Sequence, residues 1–160
     1  MPQTRWLSRR EQHAWRQFLL MQGELRNRIG SRLQREAGLS EADYEVLVNL
    51  SEAPGGRLRP SEIGGVTRWE KSRISHHLTR MEARGLVERM PCPTDNRGAL
   101  IGMTPAGRRA IERAAPLHVQ HVRDAFIDVL TPAQLDALTE ISDVVLTRLA
   151  EATATGPTAP

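Results

Sequence analysis

Three things are scarce in this chain: cysteine, lysine and long apolar runs. Cys92 is its single cysteine and Lys71 its single lysine. One cysteine excludes an internal disulfide and a cysteine-rich zinc site. The charged stretch at residues 1–12 lacks the apolar core of a secretory signal, and no segment reaches membrane-spanning length. We therefore expect a cytoplasmic protein that does not use a membrane as its partner.

The chain also lacks the short motifs of common enzymes. It has no glycine-rich phosphate loop, no nucleophile elbow and no H-E-x-x-H motif. The five histidines could in principle supply a base. None of them lies in a recognisable catalytic pattern, so we expect that the protein is not an enzyme.

Positive charge is concentrated in the middle of the chain. Residues 57–113 carry 12 arginines and lysines against 6 acids, whereas residues 114–160 carry 2 arginines against 6 acids. Arginine binds phosphate with two parallel N–H groups. A segregated basic segment is the electrostatic footprint of a protein that binds a polyanion, although an ordinary solvated surface is the simpler alternative.

Helix signals divide the first part of the chain. Ser8 and Glu11 form a capping box for a long first helix that ends at Gly38, and Ser40 begins a second helix. Pro60 starts a short third helix, and residues 64–67 are expected to form a turn. A fourth helix is predicted at about 70–84. Two strands at about 86–90 and 99–103 then enclose a loop at 91–97.

Two further helices follow. Thr104-Pro105 and Thr131-Pro132 are start signals for helices at about 105–130 and 132–151. Pro116 should kink or break the first of these. The tail at 152–160 lacks bulky apolar residues and is expected to be disordered. The first helix is too long to lie across one small domain, so part of its apolar stripe needs a partner chain.

The fourth helix has two different faces. At about 100° per residue, Ile74, Leu78 and Met81 form an inward ridge. The opposite face carries hydroxyls, an imidazole and arginines, which can approach the floor of a DNA major groove or can be ordinary solvated surface. His77 falls at the edge of the ridge, where it fills the core or reaches a phosphate. His76 points elsewhere, so the two histidines cannot share a metal ion.

The stretch ISHHLTRMEARGLVERMPCPTDNRGALIGMTPAGRRAIERA resembles the recognition helix and wing of the MarR family of winged helix-turn-helix regulators. Its most specific parts are residues 81–87, the wing tip Asp95-Asn96-Arg97, and residues 100–107. The resemblance extends from Trp6 to about Ala150. It implies a mainly α fold with a small two- to three-stranded β wing. In that fold a winged helix-turn-helix DNA-binding domain at 39–104 joins a helical dimerisation body formed by 1–38 and 105–151.

The resemblance implies a homodimeric transcriptional regulator, most often a repressor, that binds a pseudo-palindromic operator in double-stranded DNA. Four side chains of the fourth helix are expected to read base edges: Ser72, Arg73, Ser75 and His76. Four more are expected to contact backbone phosphates: Arg68, Lys71, Thr79 and Arg80. In the family the wing arginine enters the minor groove and an aspartate orients it, and here these residues are Arg97 and Asp95.

Members of the family commonly release DNA when a small aromatic or anionic effector enters a cleft between the dimer body and the winged lobe. The residues that would line this cleft are Trp15, Arg16, Leu19 and Tyr44, although each can equally belong to the core or to the solvated surface. No cofactor and no metal ion is implied.

Three alternatives remain open. Cys92 lies between Pro91 and Pro93, near Arg89 and Arg97, and could sense oxidants, but the chain has no second cysteine to resolve a sulfenic acid. His118 and His121 are spaced to share a helix face with Asp124 rotated away, which is a weak pattern for zinc. A winged fold can also bind DNA without a preferred site, as an architectural protein.

Overall fold

The computed structural model describes the backbone of residues 4–92 and 95–154, and the side chains of these residues except those at 92, 95–98, 153 and 154. The elements follow in the order α1 (Arg9–Ala37), α2 (Glu41–Glu52), β1 (Arg57–Leu58), α3 (Pro60–Thr67), α4 (Lys71–Ala83), β2 (Val87–Cys92), β3 (Asp95–Met103), α5 (Pro105–Ala125) and α6 (Pro132–Ala154). Short 3-10 turns occupy Pro54–Gly56 and Ile127–Val129. The predicted fold class is confirmed.

Local capping explains where the first two helices begin and end. Ser8 Oγ accepts a 3.3 Å hydrogen bond from the Glu11 backbone N–H, and the Glu11 carboxylate accepts one of 2.7 Å from Ser8 N–H. Gly38 ends α1 in the left-handed conformation, at φ 68°. Ser40 and Asp43 repeat the reciprocal cap at the start of α2. These starts and the length of α1, 29 residues, are as predicted.

The three strands form one antiparallel sheet in the order β1-β3-β2. Arg57 pairs with Gly102 in β3, and Val87 of β2 pairs with Met103. The prediction of a loop over residues 91–97 is wrong, because β2 continues to Cys92 and β3 begins at Asp95. Pairing satisfies the backbone groups of this polar segment. The register shifts between Pro91 and Cys92, where a proline has no N–H to donate.

The predicted turn at residues 64–67 is also wrong, because α3 continues through Gly64 and Gly65 to Thr67. Glycine has a low helix propensity, but tertiary packing overrides it here. Ile63 and Thr67 are buried, and the Thr67 hydroxyl donates a 2.7 Å hydrogen bond to the Ile63 carbonyl. A side chain at Gly64 would collide with the Ile74 side chain of α4, so the glycine permits close packing of α3 on α4.

The carboxy-terminal helices differ from expectation in two places. α5 continues through Pro116 and ends at Ala125, so the proline does not break it, and a 3-10 turn follows instead of further α-helix. Proline removes one backbone hydrogen bond, and the buried residues on both sides of it, Ala114 and His121, hold the helix. α6 continues to Ala154, so residues 152–154 are helical, contrary to prediction. Residues 155–160 lie outside the described part of the chain.

The chain forms two compact units, one ending at His121 and one beginning at Val122. The hydrophobic core lies in the first unit, where the end of α1, α2, α3, α4, the sheet and the first half of α5 surround it. Its largest fully buried side chains are Leu33, Leu39, Leu47, Leu50, Ile63, Leu78, Met81 and Ile101. The second unit holds the end of α5 and all of α6. Among residues 4–92 and 95–154, no helix combines the length and the apolar character that crossing a bilayer needs.

Candidate nucleic-acid interface

Helix α4 presents a buried face and an exposed face, as its periodicity predicts. Ile74, Leu78 and Met81 are buried in the core. Eight side chains with hydrogen-bonding groups are exposed: Lys71, Ser72, Arg73, Ser75, His76, Thr79, Arg80 and Glu82. They include three cations and one acid, Glu82, which is paired with Arg89. The periodicity of the sequence was sufficient to separate the buried face from the exposed face, because the helix is regular from its first residue to its last.

The turn between α3 and α4 depends on one unusual residue. Arg68 adopts the left-handed conformation at φ 55° and ψ 32°, which non-glycine residues adopt at a cost in free energy. This conformation ends α3 and lets α4 start within a few residues. The exposed Arg68 side chain therefore lies beside the amino-terminal end of α4, where backbone N–H groups also favour an anion.

Trp69 connects the exposed face to the core. The Arg73 guanidinium carbon lies 4.2 Å from the centre of the Trp69 ring, in a cation–π contact. The same ring meets His77 in a T-shaped contact, at 5.2 Å between centres and 88° between planes. Trp69 also lines a cleft of about 440 Å³ between α3 and α4, together with Lys71, Ser75 and Arg89. The predicted base-reading residue Arg73 is thus supported by an aromatic ring.

His77 is a core residue with two polar neighbours. It is 6% exposed, which excludes the expected alternative that it reaches a phosphate. Its Nδ1 lies 3.0 Å from Arg80 Nη2, and its Nε2 lies 3.2 Å from Asp43 Oδ1. A guanidinium can only donate, so Nδ1 accepts and the ring proton resides on Nε2, facing the carboxylate. His76 is exposed, so the two histidines are separated as predicted.

Asp43 ties α2 to α4. Its carboxylate is 2% exposed and accepts hydrogen bonds from Arg84 Nη1 at 2.6 Å and from Ser40 N–H at 2.9 Å. Burial alone raises the pKa of Asp43, but the contacts with His77, Arg84 and Ser40 outweigh it and hold the pKa far below its ordinary value. The sequence predicted that Ser40 begins α2, which the structure confirms. Nothing local indicated that His77 and Arg84 meet the same carboxylate.

The base of the wing is fastened to α4 and α5. Arg89 of β2 donates to the Glu82 carboxylate at 3.1 Å and to Thr79 Oγ1 at 3.4 Å. The Thr104 hydroxyl donates to the Gly85 carbonyl at 2.6 Å and accepts from Gly107 N–H at 3.0 Å. Arg89 therefore adds a cation beside the exposed face of α4, and sequence reasoning did not include it in this face.

Asp95 and Arg97 belong to β3, and Cys92 ends β2. Their side chains lie outside the described part of the structure. The roles predicted for the two wing-tip residues, and oxidant sensing by Cys92, therefore stay predictions.

The four expected effector-cleft residues occupy different surroundings. Trp15, Arg16 and Leu19 are exposed on α1, where Trp15 stacks on Phe18 at 5.9 Å between ring centres. Tyr44 is half-buried and packs against His118 in a tilted arrangement, at 4.3 Å between ring centres. A cleft of about 530 Å³ between α1 and α2 is lined by Arg26, Asn27, Gly30, Ser31, Gln34, Arg35, Ser40 and Glu41, which include none of the four. Their role as ligand contacts stays a prediction.

The two histidines of α5 have separate partners. His121 is 5% exposed, and its Nε2 lies 2.9 Å from a Glu36 carboxylate oxygen. His118 packs on Tyr44, and burial, then the neighbouring His121, lowers the pKa of His118. In the part of the chain that the structure describes, no three His, Cys, Asp or Glu side chains cluster as a metal site would require.

A helix-turn-helix, an exposed cationic face on its second helix and an antiparallel wing define a winged helix-turn-helix protein. The MarR family model matches residues 37–98. AbsC, a MarR family transcriptional regulator from Streptomyces coelicolor, is 41% identical over 92% of this chain and 99% of that chain, with a TM-score of 0.87. The chain belongs to the MarR family and is a transcriptional regulator of that family.

Two other relatives are similar to this chain. Sco3205, a MarR family transcriptional regulator from Streptomyces coelicolor solved in complex with DNA, is 37% identical over 99% of this chain and 95% of that chain, with a TM-score of 0.86. The transcriptional regulator YdgJ of Bacillus subtilis is 30% identical over 52% of this chain. The matched region spans about half the length of such curated relatives, 50% in the case of YdgJ.

Proposed function

We propose that this protein binds a specific operator in double-stranded DNA as a homodimer and represses transcription there. The observation that carries the proposal is the division of α4. One face is locked in the core by Ile74, Leu78 and Met81, and the other presents three cations and four polar side chains to solvent. A rigid helix with such a face suits the major groove, where arginine binds guanine and hydroxyls bind bases or phosphates. We do not propose an enzymatic activity.

Within this face we assign base contacts to Ser72, Arg73, Ser75 and His76, and phosphate contacts to Arg68, Lys71, Thr79 and Arg80. The Thr79 hydroxyl already donates a 2.9 Å hydrogen bond to the Ser75 carbonyl. Its contact with a DNA phosphate is therefore chiefly a van der Waals contact. Arg97, oriented by Asp95, supplies the minor-groove contact in this proposal. Sco3205, which has been solved with DNA, supports the assignment of DNA as the ligand. A regulator of this kind acts in the compartment that holds the chromosome.

Dimerisation is supported by apolar surface that a single chain leaves uncovered. On α1 the exposed large apolar side chains are Trp15, Phe18, Leu19, Leu20 and Met21, and on α6 they are Ile141, Val144, Val145, Leu146 and Leu149. Clusters of this size on two helices mark protein–protein contact surfaces. A two-fold pair would place two α4 helices about one DNA turn, roughly 34 Å, apart and would require a pseudo-palindromic site.

Release by a small aromatic or anionic effector is the regulatory part of the proposal. An effector that binds better to a dimer with altered helix spacing would shift the population away from the DNA-binding arrangement. Trp15, Arg16, Leu19 and Tyr44 are the residues that we assign to this effector.

The test is a fluorescence-anisotropy titration of the purified protein against DNA fragments from upstream of its own gene, at two salt concentrations, with random DNA as competitor. We expect saturable binding of two protomers per site that survives the competitor. His76→Ala should weaken specific binding. Arg68→Ala and Arg97→Ala should each flatten the slope of log K against log salt by about one unit.

Arg109→Ala is the matched control, because Arg109 is an exposed arginine of α5 outside the face described above. Its salt slope should equal that of the unmodified protein. Equal competition by random DNA would instead establish an architectural DNA-binding protein. Absence of binding at low salt with every fragment would refute the proposal for the effector-free protein.

A further inference from the structure

Two arginines of the proposed reading face are held in place before DNA arrives. Arg73 lies over the Trp69 ring, and Arg80 donates toward Nδ1 of His77. Both supports converge on His77, which lies one helical turn from each of these arginines along α4. A single buried imidazole therefore faces the aromatic ring that carries one arginine and accepts the hydrogen bond of the other.

The contact on the Arg73 side is made through Trp69. The guanidinium of Arg73 lies over the Trp69 ring, and the Trp69 and His77 rings meet almost at right angles. An edge-to-face aromatic pair has a defined geometry, because the positive edge of one ring prefers the negative face of the other. Removal of the His77 imidazole would leave the Trp69 indole free to reorient, and Arg73 would lose its cation–π contact.

The contact on the Arg80 side depends on which nitrogen of His77 carries the proton. Asp43 Oδ1 lies 3.2 Å from the buried Nε2 without forming a well-aligned hydrogen bond, and its negative charge favours the proton on that nitrogen, which leaves Nδ1 as an acceptor for Arg80. A carboxylate beside one ring nitrogen of a histidine favours the tautomer that carries the proton there. Arg80 therefore depends on Asp43, although the two side chains share no hydrogen bond in the structure.

Asp43 is itself held by contacts with two other residues. It accepts from Ser40 N–H at the beginning of α2 and from Arg84 Nη1 at the end of α4, and it is almost completely buried. The carboxylate thus belongs to the buried part of the first unit. A series of contacts therefore leads from Asp43 in α2 through the His77 imidazole to the solvent-facing guanidinium groups of Arg73 and Arg80 in α4.

We propose that His77 and Asp43 are positioning residues for DNA recognition, which set the orientations of Arg73 and Arg80 without touching DNA themselves. This inference rests on the proposed function. An arginine that is already oriented loses less conformational freedom when it binds, so preorganisation favours the specific complex over loose phosphate binding. His77 and Asp43 should therefore affect specific affinity more than non-specific affinity.

Two substitutions of His77 separate its two contacts. His77→Gln keeps an amide donor for Asp43 and loses the acceptor for Arg80, whereas His77→Asn keeps an acceptor for Arg80 and loses the donor for Asp43. We expect His77→Gln to weaken operator binding about fivefold, the effect of one lost hydrogen bond. Binding to random DNA should change less than twofold. His77→Asn, which removes the donor that faces Asp43, serves as the second variant if His77→Gln fails to fold.

The decisive measurement is a double-mutant cycle. Arg80→Ala should weaken operator binding by itself, and His77→Gln should cause a smaller further loss in that variant than in the unmodified protein, because part of the effect of His77 runs through Arg80. The same cycle applies to His77→Gln with Arg73→Ala. Additive losses in both cycles would overturn the inference, since a merely structural role of His77 would act independently of the two arginines.

A readout without DNA separates this inference from the proposed function. In the free protein, the Nε–H resonance of Arg80 should show restricted motion in ¹⁵N relaxation, and His77→Gln should make it mobile. His121→Gln is the matched control, because His121 is also buried and also paired with an acid, Glu36, but lies on α5. Failure of the unmodified protein to bind any operator would refute the proposed function alone. Equal mobility of Arg80 in the unmodified protein and in His77→Gln would refute the positioning role.

Discussion

Arg84, the residue that follows α4, donates a 2.6 Å hydrogen bond to Asp43, 41 residues earlier in α2. The same guanidinium donates a 2.7 Å hydrogen bond to the Gly38 carbonyl at the end of α1. One side chain therefore joins three helices and fixes the carboxy-terminal end of α4 against the rest of the core.

We expect Arg84→Met to lower the free energy of unfolding by about 2 kcal/mol, because a buried carboxylate loses a charged donor. Urea unfolding monitored by circular dichroism measures this loss. Arg109→Met, at an exposed arginine of α5, is the control and should change the stability by less than about 0.5 kcal/mol. Equal effects of the two substitutions would contradict the role of Arg84.

Asp43 should make the stability of the protein sensitive to acid. Its pKa in the folded state lies below the ordinary value of 3.8, so the unfolded state binds the proton more tightly. The stability contribution of the ionised carboxylate is complete above the unfolded value and is lost as pH falls below it. Asp43→Asn should therefore be less stable than the unmodified protein at pH 7, and this difference should shrink below about pH 4. Urea unfolding at a series of pH values tests this, and a constant difference would refute it.

Gly107 should tolerate no side chain. A Cβ at this position would lie far inside contact distance of the Leu86 carbonyl oxygen, a backbone atom that cannot move away easily. We expect Gly107→Ala to destabilise the protein by about 3 kcal/mol, measured by urea unfolding.

Gly65→Ala is the control for that substitution. Gly65 lies in α3, and no atom would come within 4 Å of its added Cβ. Alanine is the better helix former, so Gly65→Ala should stabilise the protein by about 0.5 kcal/mol. A loss of stability there would show that the extension of α3 to Thr67 is wrong.

The apolar face of α6 gives a test of the proposed dimer. Val145 is 50% exposed in the single chain, and a charge at this position should oppose burial against a second copy. Val145→Glu should raise the dimer dissociation constant by about a hundredfold, as measured by sedimentation. Operator binding should fall in parallel. Thr147→Glu, on the opposite side of α6 at about 100° per residue, should leave the dimer unchanged. If both variants stay dimeric, α6 does not form the interface.

Local signals were sufficient to predict most helix starts and the orientation of α4. The capping residues Ser8 and Ser40 bond to backbone groups three residues away, and the ridge of Ile74, Leu78 and Met81 repeats with the period of the helix. Such features depend only on neighbours in the chain. The MarR resemblance rests on the same kind of short, contiguous pattern, and the family match confirms it.

Errors arose where contacts between distant segments decide the outcome. Gly64 and Gly65 read as a turn, yet packing of α3 against α4 makes them helical. Residues 91–97 read as a loop, yet pairing extends both strands of the wing. In each case the tertiary contact outweighs a weak local preference.

The sequence by itself determined the family, the helical frame and the set of side chains that α4 exposes, because helix periodicity and capping are local properties of the chain. Only the tertiary structure decided that His77 is buried between Asp43 and Arg80, and that Trp69 carries Arg73. The packing of α2 against α4 determines these partners. A buried polar group needs a hydrogen-bond partner, and that partner comes from whichever segment the fold places beside it.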